Sequence, residues 1–340
     1  MVALRLLALL LFLVPQQAPR PLTFLASDLS PAQQAELATL APKLRVLNLA
    51  SREEALAHAA EADGIDARFA TPEFLKAATH LTWVQAMSAG VDRYVGLPGI
   101  ADNDKLVLTT LKGVHGPAIA DHVFAMLLQQ TRDLRFFAGE QDKSNWTREG
   151  SGTRPVALMD RTLLVVGLGG IGSEVAQRGH GFGMKVSATR RNPKEPSPEW
   201  IEHVGPPEEL ATLLPKADVV VICVPLTKET EKLFDAKTIG LMKSSAILIN
   251  VARGKVVDTA ALVAALQSKK LGGACLDVTD PEPLPKESPL WTMKNVVLTP
   301  HVAAEAELTD ERSWAVEKEN LRRFSAGEKL ENVVDKKAGY

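Results

Sequence analysis

Cysteine and tyrosine are nearly missing from this chain, with two of each in 340 residues. Cys223 and Cys275 both sit in apolar runs ("VVVICVP", "GGACLDV"), which marks them as buried free thiols. No cysteine–histidine spacing suggests a zinc site, so no metal is expected. An excess of one charge is also missing: 39 Lys+Arg stand against 41 Asp+Glu, a net charge of −2, and there is no long basic run. That excludes the electrostatic footprint of a nucleic-acid partner. Internal repeats and low-complexity segments are absent too.

Long apolar runs are confined to one place. "MVALRLLALLLFLVPQQAPRP" holds nine unbroken apolar residues, Leu6 to Val14, too few to span a bilayer comfortably but the size of a signal-peptide core. Ala18 is small enough to precede a cleavage point, although Gln16 and Pro19 make it a poor one. Residues 1–20 are therefore read as a leader outside the fold. Export or anchoring through segment 1–18 is one reading; an uncleaved extension or a misplaced start is the other. A cytoplasmic protein is expected, with export as the alternative and membrane contact only if the leader is retained.

What remains is ordinary globular composition, 46% hydrophobic and 24% charged, and long enough for two domains. Apolar runs alternate with helical stretches from "LTFLAS" at Leu22 onwards, the signature of an α/β fold with parallel sheets. "GPAIADHVFAMLLQQTRDLRFFAGEQ" reads as one long connecting helix. A second α/β series of five or six strands follows. The expected architecture is two Rossmann-like doubly wound domains around a cleft. The dinucleotide-binding domain covers 118–300; the substrate domain is discontinuous, 21–117 plus 301–332, if the helix after His301 packs back on it.

Gly167-Leu168-Gly169-Gly170-Ile171-Gly172 satisfies G-x-G-x-x-G between a buried strand and a helix, the context that fingerprint requires. The first glycine allows a tight turn, the second lets backbone approach pyrophosphate, and the third brings helix against sheet. The next strand, Lys185 to Thr189, ends in Arg190 and Arg191. A carboxylate at that tip accepts from the adenosine ribose, whereas guanidinium groups form charge-assisted bonds to a 2′-phosphate. The pair is thus read as a 2′-phosphate clamp, making NADP(H) the preferred cofactor with NAD(H) possible; the bland reading is two solvated loop arginines of mixed specificity.

Three further strand ends carry reactive side chains: Arg253 after "ILINVARG", Asp277 and Glu282 in "CLDVTDPEPLP", and His301 in "VVLTPHVAA". Open α/β sheets hold ligands at that edge. Singly, Arg253 is equally a loop ion pair, Glu282 a solvated turn residue and His301 a polar helix start. Together they suit carbonyl reduction. Arg253 grips a carboxylate and polarises the adjacent keto oxygen. An imidazole, titrating at about 6.5 when unperturbed, donates the proton, and Glu282 fixes its tautomer.

These motifs resemble the D-isomer-specific 2-hydroxyacid dehydrogenases, within them the glyoxylate/hydroxypyruvate reductase-like branch. The likeness runs from about Leu22 to Asn332 through "SAGVD" (88–92), "GLGGIG" (167–172), "VPLTKET" (224–230), "NVARG" (250–254), "DVTDPEPLP" (277–285) and "TPHVA" (299–303). The resemblance implies catalytic Arg253, Glu282 and His301, and backbone N–H groups of Ala89, Gly90 and Val91 on the substrate carboxylate. It implies Val251, Ala252 and Asp277 at the nicotinamide, Val224, Pro225 and Thr230 along the cofactor, with Thr189 at the strand tip. Trp146 matches a tryptophan found after the connecting helix, and a homodimer through the dinucleotide domains is implied. Asp121 stands where the family usually has glutamate, and Arg190 replaces the acid of NAD-using members. The implied activity is NAD(P)H-dependent reduction of a small 2-oxo acid to the D-2-hydroxy acid. Relatives acting on 3-phosphoglycerate, phosphite or formate, or sensing dinucleotides without turnover, are the alternatives.

Overall fold

The structure is a computed structural model that describes residues 20–152 and 155–340; the apolar leader expected at 1–20 lies almost wholly outside the described residues. Two parallel sheets organise the chain. The first is built from β1 (Leu22–Ala26), β2 (Leu44–Asn48), β3 (Gly64–Asp66), β4 (Trp83–Gln85) and β5 (Val107–Thr109), in the order β2-β1-β3-β4-β5. The second contains β6 (Thr162–Val166), β7 (Lys185–Thr189), β8 (Ile201–Gly205), β9 (Val219–Ile222), β10 (Ile247–Asn250), β11 (Gly273–Leu276) and β12 (Val296–Leu298). Its order is β12-β11-β10-β9-β6-β7-β8, so the chain runs outward from β6, returns to β9 and reverses direction there. Both sheets are doubly wound and Rossmann-like.

Near-continuous Val, Ile and Leu in β6 and β9 leave no polar face, as burial on both sides of a parallel sheet demands. β3 escapes the sequence reading because "GID" is only three residues, and β8 because charged and polar side chains interrupt "IEHVG"; with β8 the second sheet has seven strands rather than five or six. The connecting helix is also corrected. It is two helices, Gly116–Thr131 and Leu134–Asp142, broken at Asp133, whose φ of 58° is left-handed. The Asp133 carboxylate accepts from the N–H and the hydroxyl of Ser151, which holds the break.

The Glu307–Ala326 helix returns to the first sheet. Its Asn320 amide donates to buried Gln85 Oε1 at 3.0 Å, which also accepts from Thr109. The rings of Trp83 and Phe324 lie 4.9 Å apart, and Trp314 and Lys318 both reach the Glu36 carboxylate. No helix among the described residues is long and apolar enough to cross a membrane. Cys275 is fully buried within β11 and Cys223 follows β9, both as free thiols. Burial pushes the Cys223 thiol up to about 12 and raises that of Cys275 further, so neither is a thiolate at neutral pH.

Candidate active site

The glycine loop follows β6 at the strand-order reversal, where a doubly wound sheet opens a crevice. Gly167 adopts φ +102°, and a Cβ there would press on the carbonyl of Cys223 and on Val224 at 2.9 Å. At Gly172 a Cβ would overlap the Gly167 carbonyl, so the third glycine is what lets the Gly170–Gly181 helix sit against the sheet. Gly169 and Gly170 are exposed, and nothing stands within 4 Å of a Cβ built on Gly169. No side chain caps this helix, whose first-turn N–H groups have no intrahelical acceptors. Leu168 is buried, and its N–H, like that of Gly167, donates to the carbonyl of buried Thr189. Ile171 packs against the core beneath. An open backbone with unsatisfied donors fits the pyrophosphate of a dinucleotide.

Two loops flank this crevice. After β9, Thr230 Oγ1 donates to the Pro225 carbonyl at 2.6 Å and accepts from the Thr227 N–H at 2.8 Å, folding Val224–Thr230 tightly. After β7, the two arginines part company. Arg190 has a side chain only 12% exposed, and its guanidinium donates to the carbonyls of Glu195 and Pro196 in its own loop. Its Nε is buried without a partner. Arg191 is exposed, with its guanidinium 4.4 Å over the ring of Tyr340. Of the two arginines expected to form a clamp, Arg190 is bonded within its own loop and Arg191 is the exposed cation.

The reactive strand ends converge because β10, β11 and β12 are neighbours in register, Asn250 beside Leu276 and Leu276 beside Leu298. Beyond β10, Asn250 braces the turn by accepting from Ala252 N–H and donating to the Arg253 carbonyl. Val251 and Ala252 are buried. The Arg253 Nε donates to Asp92 Oδ1 at 3.0 Å, a contact between residues 161 apart in sequence, and Nη1 donates to the Ala252 carbonyl. The guanidinium lies so close over Gly90 that a Cβ there would collide with it, which places the Ala89–Gly90–Val91 backbone beside the cation.

Beyond β12, His301 adopts φ 58°, held by its N–H donating to the Asp277 carbonyl at 2.8 Å. The Asp277 carboxylate, 3% exposed, accepts from Thr299 Oγ1 and from the N–H groups of Val302 and Ala303. It is a brace for the histidine-bearing turn. Glu282 Oε1 lies 2.7 Å from His301 Nδ1 with both side chains 39% exposed. A carboxylate oxygen accepts, so this contact favours the tautomer with its hydrogen on Nδ1 and leaves Nε2 for other chemistry. Asp92, Asn250, Thr299 and Tyr340 escaped the sequence reading. Asp92 ends the quoted "SAGVD" motif, and Asn250 and Thr299 open "NVARG" and "TPHVA", which were usable signals; Tyr340 had none.

Comparison with known proteins shows the family of the fold that carries this geometry. Residues 124–303 match the family described as D-isomer specific 2-hydroxyacid dehydrogenase, NAD binding domain. The chain belongs to that family, and it is an NAD(P)-binding oxidoreductase, a 2-oxo acid reductase at the level of the family. It is 38% identical over 237 residues to a glyoxylate reductase of Thermococcus litoralis, covering 68% of this chain and 70% of that one. Among solved structures, a D-isomer specific 2-hydroxyacid dehydrogenase from Xanthobacter autotrophicus in complex with NADPH and MES superimposes with TM-score 0.79 at 30% identity, covering 94% of this chain and 100% of the other. An NADPH-dependent glyoxylate/hydroxypyruvate reductase from Sinorhizobium meliloti in complex with NADP and sulfate gives TM-score 0.76 at 29% identity, covering 94% and 99%.

Proposed function

We propose that the protein reduces a small 2-oxo acid of the glyoxylate or hydroxypyruvate type to the D-2-hydroxy acid, with NADP(H) preferred over NAD(H). What supports the reading is that Arg253, Glu282 and His301 follow the neighbouring strands β10, β11 and β12, with the Arg253 guanidinium over the Gly90 backbone and Glu282 on His301. Arg253 binds the substrate carboxylate together with the amides of Ala89, Gly90 and Val91, and polarises the keto oxygen as charge grows on it. His301 delivers a proton from Nε2 to that oxygen, while Glu282 keeps Nδ1 protonated and steadies the imidazolium form before transfer. Gly167–Gly172, Val224–Thr230, Val251 and Ala252 hold the dinucleotide, whose reduced nicotinamide supplies the hydride when bound. Arg191 reads the 2′-phosphate.

The cleft lies between a substrate domain of residues 21–117 plus 301–332 and a cofactor domain of residues 118–300. A homodimer through the cofactor domains is supported by apolar side chains left in water, Trp146 at 93%, Met159 at 68% and Leu134 at 50% exposure. A cytoplasmic location accords with the need for NADPH and is checked by cell fractionation with sequencing of the mature N-terminus. The function is tested by following NADPH and NADH oxidation with glyoxylate, hydroxypyruvate and larger 2-oxo acids. Faster turnover of the two small acids, with NADPH favoured, is the expected result; no oxidation with any 2-oxo acid sinks the reading.

A further inference from the structure

The last residues of the chain do not trail into solvent. The Val334 N–H donates to the Leu108 carbonyl and Thr109 bridges Val333, so the tail first adds to the edge of β5. Lys336 Nζ then donates to the carbonyls of Ile100, Asn103 and Leu106, three bonds that fix the tail to the substrate-domain side. From Asp335 the chain closes on itself. The Asp335 carboxylate accepts from the N–H groups of Lys337 and Ala338, the Gly339 N–H donates to the Asp335 carbonyl, and the Asp335 N–H donates to a Tyr340 oxygen.

This closed turn reaches the other sheet. The Tyr340 ring lies under the Arg191 guanidinium, and a Cβ built on Gly339 would touch the Thr227 methyl at 3.6 Å. Arg191 belongs to the loop after β7 and Thr227 to the loop after β9, and β7 and β9 are the two neighbours of β6. The turn therefore lies across both loops that flank the glycine loop.

We propose that the Asp335–Tyr340 turn is a wall of the adenosine subsite and that Tyr340 is a positioning residue, holding Arg191 in place to read a 2′-phosphate. The inference rests on the NADP(H) reading given above. A guanidinium stacked on an aromatic face keeps its in-plane N–H groups free for phosphate oxygens while losing its freedom to swing into water. Arg190, bonded to its own loop, cannot take over that task without giving up those carbonyls. Glu229 competes for the same cation: its carboxyl is held below the usual range chiefly by the Thr227 hydroxyl, then by its own backbone N–H, with Arg191 contributing. A fixed ring under Arg191 opposes that capture.

The test uses two nucleotides without a nicotinamide, adenosine 2′,5′-bisphosphate and AMP, titrated calorimetrically into the full-length protein. Tyr340→Ala is expected to weaken the bisphosphate roughly three- to fivefold and leave AMP unchanged, the scale of one exposed cation–ring contact. Tyr340→Phe keeps the ring and retains wild-type affinity. In an Arg191→Ala background, Tyr340→Ala has no further effect, because the two act as one unit. If Arg191→Ala abolishes the preference for the bisphosphate and Tyr340→Ala does not touch it, the tail has no such role and the NADP(H) reading survives. Tighter binding of both nucleotides by Tyr340→Ala makes the turn a plug and likewise overturns the proposal. If Arg191→Ala keeps the full preference, the cation reading itself fails and this inference goes with it.

Discussion

Glu282 Oε1 holds His301 Nδ1 at 2.7 Å, on a turn whose backbone is pinned by Asp277 from the neighbouring strand. The pair is positioned by two independent devices, one for the ring and one for the main chain. Replacing the ring should therefore remove the proton donor without disturbing its surroundings. His301→Gln is expected to lower kcat/KM for the 2-oxo acid about 10²- to 10⁴-fold while nucleotide affinity stays at its wild-type value. Glu282→Gln, which still offers Nδ1 an amide oxygen, should cost less, about 10- to 100-fold, since only tautomer control and charge support are weakened. Steady-state kinetics beside a fluorescence titration of NADPH separates the two effects. Undiminished turnover in His301→Gln rules out the assigned donor.

Arg253 meets Asp92 across the cleft at 3.0 Å, with both side chains largely shielded from water. The carboxylate fixes Nε and so aims the remaining guanidinium face over Gly90. Asp92→Ala is expected to raise KM for the 2-oxo acid about tenfold with little change in cofactor binding, as an unaimed guanidinium loses its charge-assisted bond to the substrate carboxylate. Asp92→Asn retains an acceptor and should recover most of the loss. Equal KM values in wild type and Asp92→Ala would show that Arg253 needs no such partner.

Two glycines of one loop should fail differently. Gly169 has φ −97° and open space beyond it, so alanine fits the backbone there. Gly169→Ala is expected to leave the melting temperature within about 2 °C and to weaken NADPH at least tenfold, because its methyl stands where the pyrophosphate must approach. Gly172→Ala forces a methyl into the Gly167 carbonyl and should destabilise the fold itself, by about 1–3 kcal/mol. Calorimetry and nucleotide titration on the same two variants give the comparison; a Gly169→Ala protein that binds normally contradicts the placement of the phosphates.

Why were some of these features legible in the sequence and others not? The glycine loop was readable because each constraint is local: Gly167, Gly172 and Val224 touch within one strand–turn–helix unit and its neighbour. Arg253, Glu282 and His301 were readable as a group because a parallel sheet places every strand's carboxyl end on one edge, so chain position alone brings them together. Pairing across the cleft obeys no such rule. Asp92 and Arg253, or Arg191 and Tyr340, meet only when both domains are folded, and no periodicity announces them. The break at Asp133 was hidden by apolar spacing that continues through it. Arg190 was assigned to phosphate by its position, whereas its long side chain curls back to carbonyls five and six residues on. Position names the loop; only coordinates say where a flexible stem points.

Glu317 offers a test that owes nothing to the active site. It is 5% exposed on the returning helix, and burial, then the charge of Asp66, raises its carboxyl from 4.5 to about 7. Asp66 is itself raised, chiefly by burial and against the hydrogen bonds it accepts from Arg68 N–H and Ser27. Between pH 4.5 and 7 the folded chain keeps a proton on Glu317 that the unfolded chain has released. Stability contributed by the neutral acid is therefore complete below about 4.5 and is lost as pH rises through about 7. The shift corresponds to at most ~3 kcal/mol. Glu317→Gln keeps the volume without the charge, so it should melt higher than wild type at pH 8, match it near pH 4, and flatten the slope between them. The slope that remains belongs to Asp66 and other groups. Thermal melts at the two pH values suffice; identical pH slopes in the two proteins would mean that Glu317 stays ionised in the fold.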